Sequence, residues 1–507
     1  LVVTFTRAAA AQMKEKIADK LEQAAEDHPE DEHIVKQLSL LPRADIMTID
    51  SFCLHVMREH FDRLDIDPAF RVGDEGEMLL MRADVMDGLL EDYYRDGGKR
   101  YEEFVDAYAT GKADDGIAEY VMQVYNFAQS NPWPDAWYEK CREELLLTEQ
   151  GELEQTEWMQ FLLRDIALQA QEWEIQLREA WEICQETGGP MPYLPMIEED
   201  LRHAEAVCGA AGSFETISEA LEQFTFSRLA AIRGKNGEVD PEKKALVSDC
   251  RGRVKKAVEK LKGEYLFASP EQMLTDMEAG KERILELLEL AQEFGRRFRA
   301  KKKEKNVVDF HDLEHFALEI LTEPESECSE AEETSSAEET DQMQGKNAWT
   351  VRVPGTVADE LAVQYDEILG DEYQDSNLVQ ETLIQCISGE RFDRPNVFMV
   401  GDVKQSIYKF RLARPELFLE KYSTYTSEES AHQKIELHQN FRSRDHILES
   451  INAIFYRIMT EKLGNISYTE DAALHPGAAF EERDGLDELK TELLLVDLSV
   501  QPQKETE

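Results

Sequence analysis

Apolar positions first cluster at the start of the chain. Leu1-Val2-Val3-Thr4-Phe5-Thr6 is β-branched and aromatic, the composition of a buried strand. An alanine-rich run from Ala8 to Ile17 follows directly and favours helix. A strand running straight into a helix is the repeating unit of a parallel sheet. Asp45 to Asp50 predicts a second short strand, with a helix from about Ser51 to His60. Beyond residue 75 the strand signal fades. Segments 155–186 and 271–300 instead space their apolar residues by three and four, the period of long amphipathic helices. Strand patterns return at 363–370, 396–400 and 434–437. The predicted class is α/β. A parallel-sheet domain is split between residues 1–75 and 306–430, an all-helical insertion fills 76–305, and a new domain begins at 431 and runs to 507. Residues 322–346 are rich in Glu, Ser and Thr with almost no large apolar side chain. They cannot offset their ordering entropy and are expected to form a disordered acidic loop.

Charge narrows the picture. With 106 acidic and 56 basic residues the formal charge is −50, so most of the surface repels nucleic acid. Any nucleic-acid site must be local, with its own positive charge. Two basic clusters stand out: Arg251, Arg253, Lys255, Lys256, Lys260 and Lys262; and Arg296, Arg297, Arg299, Lys301, Lys302 and Lys303. Each reads as a solvated helix face or as a phosphate contact. The seven cysteines are scattered without a C-x-x-C pair, which suits a cytoplasmic protein without a zinc or iron–sulfur site. No apolar run approaches the roughly 18 residues of a membrane span, and no basic leader opens the chain.

The chemistry concentrates after residue 368. Ile368-Leu369-Gly370 leads into Asp371-Glu372-Tyr373-Gln374-Asp375. Adjacent carboxylates at the end of a buried strand are unfavourable unless a cation or hydrogen bonds compensate them. In a nucleotide hydrolase the first acid holds Mg²⁺ and the second takes a proton from the attacking water. The bland alternative is a solvated acidic turn. A later strand ends in Gly401-Asp402-Val403-Lys404-Gln405-Ser406-Ile407-Tyr408-Lys409-Phe410-Arg411. Parallel sheets bind ligands at the carboxyl ends of their strands, so both motifs can share one site. Gln405 can bond a phosphate oxygen and a water together. Tyr408 and Phe410 suit stacking on unpaired bases, or ordinary core packing. Leu437 to Ser443 places Arg442 past another predicted strand, as a clamp on phosphate charge or a surface ion pair.

The order of these motifs, with Thr48-Ile49-Asp50-Ser51-Phe52-Cys53 between the first strand and the acidic pair, resembles the UvrD/Rep-like superfamily 1 DNA helicases. Asp309 to Leu318, Gly401 to Phe418 and Leu474 to Ala478 look like the AddA group, helicase–nuclease proteins that work with an AddB partner. The resemblance implies a RecA-like P-loop motor domain (1A) carrying the helical insertion (1B), followed by the start of a second RecA-like domain (2A). It implies an ATP- and Mg²⁺-dependent 3′–5′ DNA helicase in double-strand break repair and recombination, acting on single- and double-stranded DNA. At matched positions Asp371 binds Mg²⁺, Glu372 activates water, Gln405 senses the γ-phosphate, and Arg442 contacts it from the second domain. Phe5, Tyr408 and Phe410 line the single-strand track, supported by Thr4, Thr48 and Arg411. Arg7 and Asp50 stand where this family usually has Asn and His, Gly370 replaces a β-branched residue, and Ser376 replaces Thr. Asp50 puts negative charge near the track and makes contact there doubtful.

No G-x-x-x-x-G-K-[ST] phosphate loop occurs in the 507 residues. The resemblance places it just before Leu1. The chain is thus expected to be an internal piece that alone neither hydrolyses ATP nor unwinds DNA. A UvrD-like repair helicase without a nuclease, and a non-catalytic DNA-binding or scaffolding relative, are the competing expectations.

Overall fold

In a computed structural model the described residues are 1–109, 115–146, 150–232, 239–324, 352–464, 466–481 and 491–496. Four short strands build one parallel sheet: β1 (Val2–Thr4), β2 (Ile46–Thr48), β3 (Ile368–Gly370) and β4 (Val397–Met399). Their spatial order is β2-β1-β3-β4. The register pairs Thr4 with Thr48, Val2 with Leu369, and Gly370 with Met399. Chain order reverses between β1 and β3, which creates the crevice where open parallel sheets take ligands.

Local chemistry fixes the strand ends. The Thr6 hydroxyl accepts from the Ala9 amide at 3.1 Å and caps helix α1 (Arg7–Asp27). Thr48 does the same for the Ser51 amide, 3.3 Å away, at the start of α2 (Ile49–Glu59). α2 buries Phe52, Cys53, Val56 and Met57, one stripe at helical spacing. On the far side of the sequence, Leu378–Ile387 buries Val379, Leu383, Cys386 and Ile387. The described residues of Leu1–Glu59, Phe316–Glu323 and Val353–Glu507 form one compact unit.

The described residues of His60–His315 and Pro324–Arg352 form a second unit. It is built mainly of helices, with a short parallel pair of Arg71–Val72 and Val307–Val308. Its helix Glu157–Gln185 buries Met159, Leu163, Ile166, Ala170, Trp173 and Leu177, in alternating steps of four and three. That stripe explains the periodicity seen in the sequence.

The basic clusters are largely occupied within this unit. Arg251 forms a buried ion pair with Asp200. Arg297 reaches Asp92 at 2.7 Å and Glu293 at 2.8 Å. Lys303 pairs with Asp65. Lys302 lies 3.0 Å from Asp309 and 2.6 Å from Asp312. Asp200, Asp92 and Asp65 are distant in sequence from the bases they pair with, so those pairings are not visible when the clusters are read linearly.

Three element expectations change. The strand predicted at 434–437 is at Gln439–Asn440, where the pairing partner His475–Pro476 lies. Ile435 and Leu437, the apolar residues of the predicted segment, are exposed. The strand predicted at 363–370 is confined to β3, because Leu361 and Ala362 are buried by the helix Thr356–Gln364. The predicted acidic loop opens with an extended segment, Thr322–Pro324. Its remainder, from 325 to 346, lies outside the described residues. Among the described residues no helix is long and apolar enough to cross a membrane.

Candidate functional site

The acidic turn begins where β3 ends. The Asp371 amide donates to the Val3 carbonyl at 3.0 Å, tying the turn to β1. Glu372 adopts φ +55, the left-handed region that non-glycine residues enter only when their surroundings enforce it. One enforcing group is Gln374, only 1% exposed. Its Nε2 donates to Glu372 Oε2 at 2.7 Å, and its Oε1 accepts from the Asp402 amide at 3.0 Å. Gln405 Nε2 in turn donates to Asp402 Oδ2 at 3.1 Å. A continuous relay therefore runs Glu372, Gln374, Asp402, Gln405. Gly401 makes the approach possible: a Cβ there would stand 2.6 Å from Gln374 Oε1. At Gly370 a Cβ would meet the Tyr373 ring at 3.2 Å, so the glycine that weakens the strand also gives that ring room.

The electrostatics leave a deficit of positive charge. Burial, then the neighbouring Glu372 carboxylate, raise Asp371 above the ordinary carboxylate range. The same two causes raise Asp375, whose Oδ1 is buried without a hydrogen-bond partner. Among the described residues neither Asp371 nor Glu372 has an ion-pair partner; the nearby Lys404 is engaged with Asp402 at 2.8 Å. This donor set fits a divalent cation held by a carboxylate, waters and phosphate oxygens. Such an ion needs no protein cage, and among the described residues no three His, Cys, Asp or Glu side chains form one.

Beside the acids lies an aromatic surface. The Phe5 and Tyr408 rings are 5.0 Å apart, and Tyr408 and Phe410 5.9 Å. The Arg411 guanidinium lies 5.4 Å from the Tyr408 ring and 5.7 Å from that of Phe410. Phe410 is 75% exposed, so it is not core. Accessible rings flanked by a guanidinium are a surface on which bases can stack, a candidate platform. Thr4 and Thr48 are buried; their hydroxyls bond Thr6 O at 3.0 Å and Ser51 Oγ at 2.9 Å. They shape the strand ends under the platform. Burial raises Asp50 while Arg7 opposes that shift, so the two residues unusual for the family compensate one another electrostatically.

Arg442 is not brought into this group. It is exposed, in a turn held by Asn440 Oδ1, which accepts the Arg442 and Ser443 amides at 2.9 Å each. Among the described residues no hydrogen bond or ion pair joins it to the acidic turn. Sequence reasoning missed Gln374 and Gly401. Their only linear signal was position: a glutamine two residues past Glu372, and a glycine closing a strand.

The profile of the UvrD/REP helicase N-terminal domain matches residues 1–426. Over 98% of its length the chain is 41% identical to an ATP-dependent helicase/nuclease subunit from Lachnoclostridium phytofermentans. It is 37% identical over 96% of its length to the protein of the same name in Clostridium botulinum, and 39% identical over 98% to that in Bacillus velezensis. The chain spans 35% to 38% of the length of these relatives.

Proposed function

The chain belongs to the UvrD/REP helicase family, and from that premise we propose that it carries half of an ATP-hydrolysing site coupled to a single-stranded DNA track. The relay from Glu372 through Gln374 and Asp402 to Gln405 carries this reading. It ties a water-activating carboxylate to the segment that bears the aromatic platform.

Glu372 is the general base, oriented by the Gln374 amide. Asp371 is the Mg²⁺ ligand; when bound, the ion neutralises phosphate charge and relieves the repulsion between the two acids. Gln405, exposed and anchored through Asp402, is placed to sense the terminal phosphate. Phe5, Tyr408 and Phe410 stack on unpaired bases, with Arg411 supplying local positive charge. Arg442 reaches the phosphates only on a rearrangement that closes a cleft. The helical unit corresponds to domain 1B and residues from about 431 to the start of 2A. The whole protein is an AddA-like 3′–5′ helicase that works with an AddB-like partner in cytoplasmic DNA repair.

The test is ATP turnover by the protein expressed from its complete reading frame, with and without oligo-dT. Turnover that rises on adding oligo-dT is expected. DNA binding with no turnover would favour the scaffolding alternative instead.

A further inference from the structure

The segment carrying the aromatic platform is a strap pinned at both ends to the acidic turn. At its start, the Tyr373 amide donates to Val400 O at 2.9 Å, and Asp402 is held by Gln374. At its end, the Arg414 amide donates to Ser376 O at 2.9 Å. Between the pins the backbone hydrogen bonds of residues 403–413 are local, such as Gln405 to Asp402 and Arg411 to Tyr408. Leu412 sits at φ +62, a strained conformation for a branched side chain, just after Arg411. The strap's backbone is therefore tied to the rest of the unit at its ends, with the Phe5 ring meeting Tyr408 between them.

The second pin is reinforced by a buried polar cluster. The helix Pro415–Thr424 continues from Arg414 and carries Phe418 and Lys421. The Phe418 ring packs 6.3 Å from that of Tyr373. Lys421 Nζ lies 2.7 Å from Glu381 Oε1. The Tyr373 hydroxyl donates to the other oxygen of the same carboxylate, and Gln385 Nε2 donates to Oε1 at 2.9 Å. Glu381 is 4% exposed. Burial alone would lower Lys421, but the Glu381 carboxylate outweighs it and keeps the ammonium charged. Tyr373 follows Glu372 directly, so one side chain in the acidic turn is bonded to a carboxylate that also grips the helix beyond the strap.

We propose that Glu381, Lys421 and the Tyr373 hydroxyl form a positioning clamp that couples occupancy of the aromatic platform to the acidic turn. The clamp touches neither nucleotide nor DNA. It sets the angle at which the strap leaves the turn, so base stacking on Tyr408 and Phe410 is felt at Glu372. This inference rests on the function proposed above.

Lys421→Met, in the protein from the complete reading frame, keeps the stem of the side chain and removes the charge. Stimulation of ATP turnover by saturating oligo-dT should fall about tenfold, the size of a typical coupling between sites. DNA-free turnover should stay within about twofold, and Lys421→Arg should retain stimulation, since it keeps the charge on Glu381. Hydrogen exchange of residues 403–414 should quicken in Lys421→Met while β1 and β3 stay protected, a readout that also serves in the 507-residue chain. Unchanged stimulation together with unchanged exchange would overturn the clamp, and so would equal losses of basal and stimulated turnover. A wild-type protein with no DNA-stimulated turnover would sink the functional reading itself, a result separable from either of those.

Discussion

Two carboxylate pairs among the described residues, one in each unit, meet the cost of burial in opposite ways. In the helical unit, Asp309 and Asp312 share the ammonium of Lys302, itself 4% exposed. Arg82 lies 3.6 Å from Asp309, and the two acids cap one another's backbone, Asp309 N to Asp312 Oδ2 and Asp312 N to Asp309 Oδ1. Burial would raise Asp309, but the Lys302 charge holds it below the ordinary range. In the sheet unit, Asp371 and Glu372 receive no cation from the described residues, and burial leaves Asp371 raised. A carboxylate pair with its own lysine is a structural fastener. A pair left without one is open to an ion from outside.

The sharpest way to break that contrast is at the open pair. Glu372→Gln, in the protein from the complete reading frame, should reduce ATP turnover by about 10³-fold, within the range of a lost general base, while nucleotide binding persists. Turnover within tenfold of wild type would remove Glu372 from that role. At the closed pair the damage should be to folding. Lys302→Met removes the charge that two buried acids share, leaving only Arg82 beside Asp309, and should lower stability by about 3–5 kcal/mol, read from urea denaturation. Adding Asp309→Asn and Asp312→Asn should restore most of it. A Lys302→Met chain as stable as wild type would show that those acids are not fastened by that charge.

Smaller effects sharpen the comparison. Phe410→Ala should weaken oligo-dT binding by roughly 1–3 kcal/mol in fluorescence anisotropy, the contribution of one stacked base, without changing stability. Asp371→Asn should stabilise the metal-free chain by roughly 0.5 kcal/mol, kept small because the carboxylate is half-buried. Asp371 and Asp309 predict opposite pH slopes, while burial raises Asp312 despite its contact with Lys302. Asp371 is raised from its ordinary 3.8, so its stabilising contribution is present at low pH and lost as pH rises through the raised value. Asp309 is lowered, so its contribution is present above 3.8 and lost as pH falls through its folded value. Thermal melts of Asp371→Asn against wild type should therefore diverge with pH above 3.8, and those of Asp309→Asn below it.

The legible part of the site was the part defined by residue type and strand end. Asp371, Glu372, Gln405, Phe5, Tyr408 and Phe410 were readable because strands announce their ends and the parallel sheet collects those ends. Gln374, Glu381 and Lys421 were not. Each is a polar side chain that is buried only through partners elsewhere in the chain, which linear spacing does not display. Arg296 to Lys303 stayed open in the sequence between a solvated helix face and a phosphate contact, because linear spacing does not display Asp92 and Asp65 against Arg297 and Lys303. The strand expected at 434–437 failed for a related reason. A local strand signal suggested it, whereas pairing with His475 and Pro476 decides where the strand lies.

The interleaved sheet order has a consequence for biosynthesis. β1 is among the first residues of this stretch to emerge from a ribosome, yet one of its two neighbours, β3, pairs Val2 with Leu369. At roughly 5–20 residues per second, β1 waits about 20–70 s for that partner. Of its two sheet neighbours only β2 exists in that interval, so the edge that β3 takes lacks its native partner until Leu369 arrives. The helical unit between them can complete its own core meanwhile, so premature release or slowed elongation should expose the sheet half and leave the helical half intact.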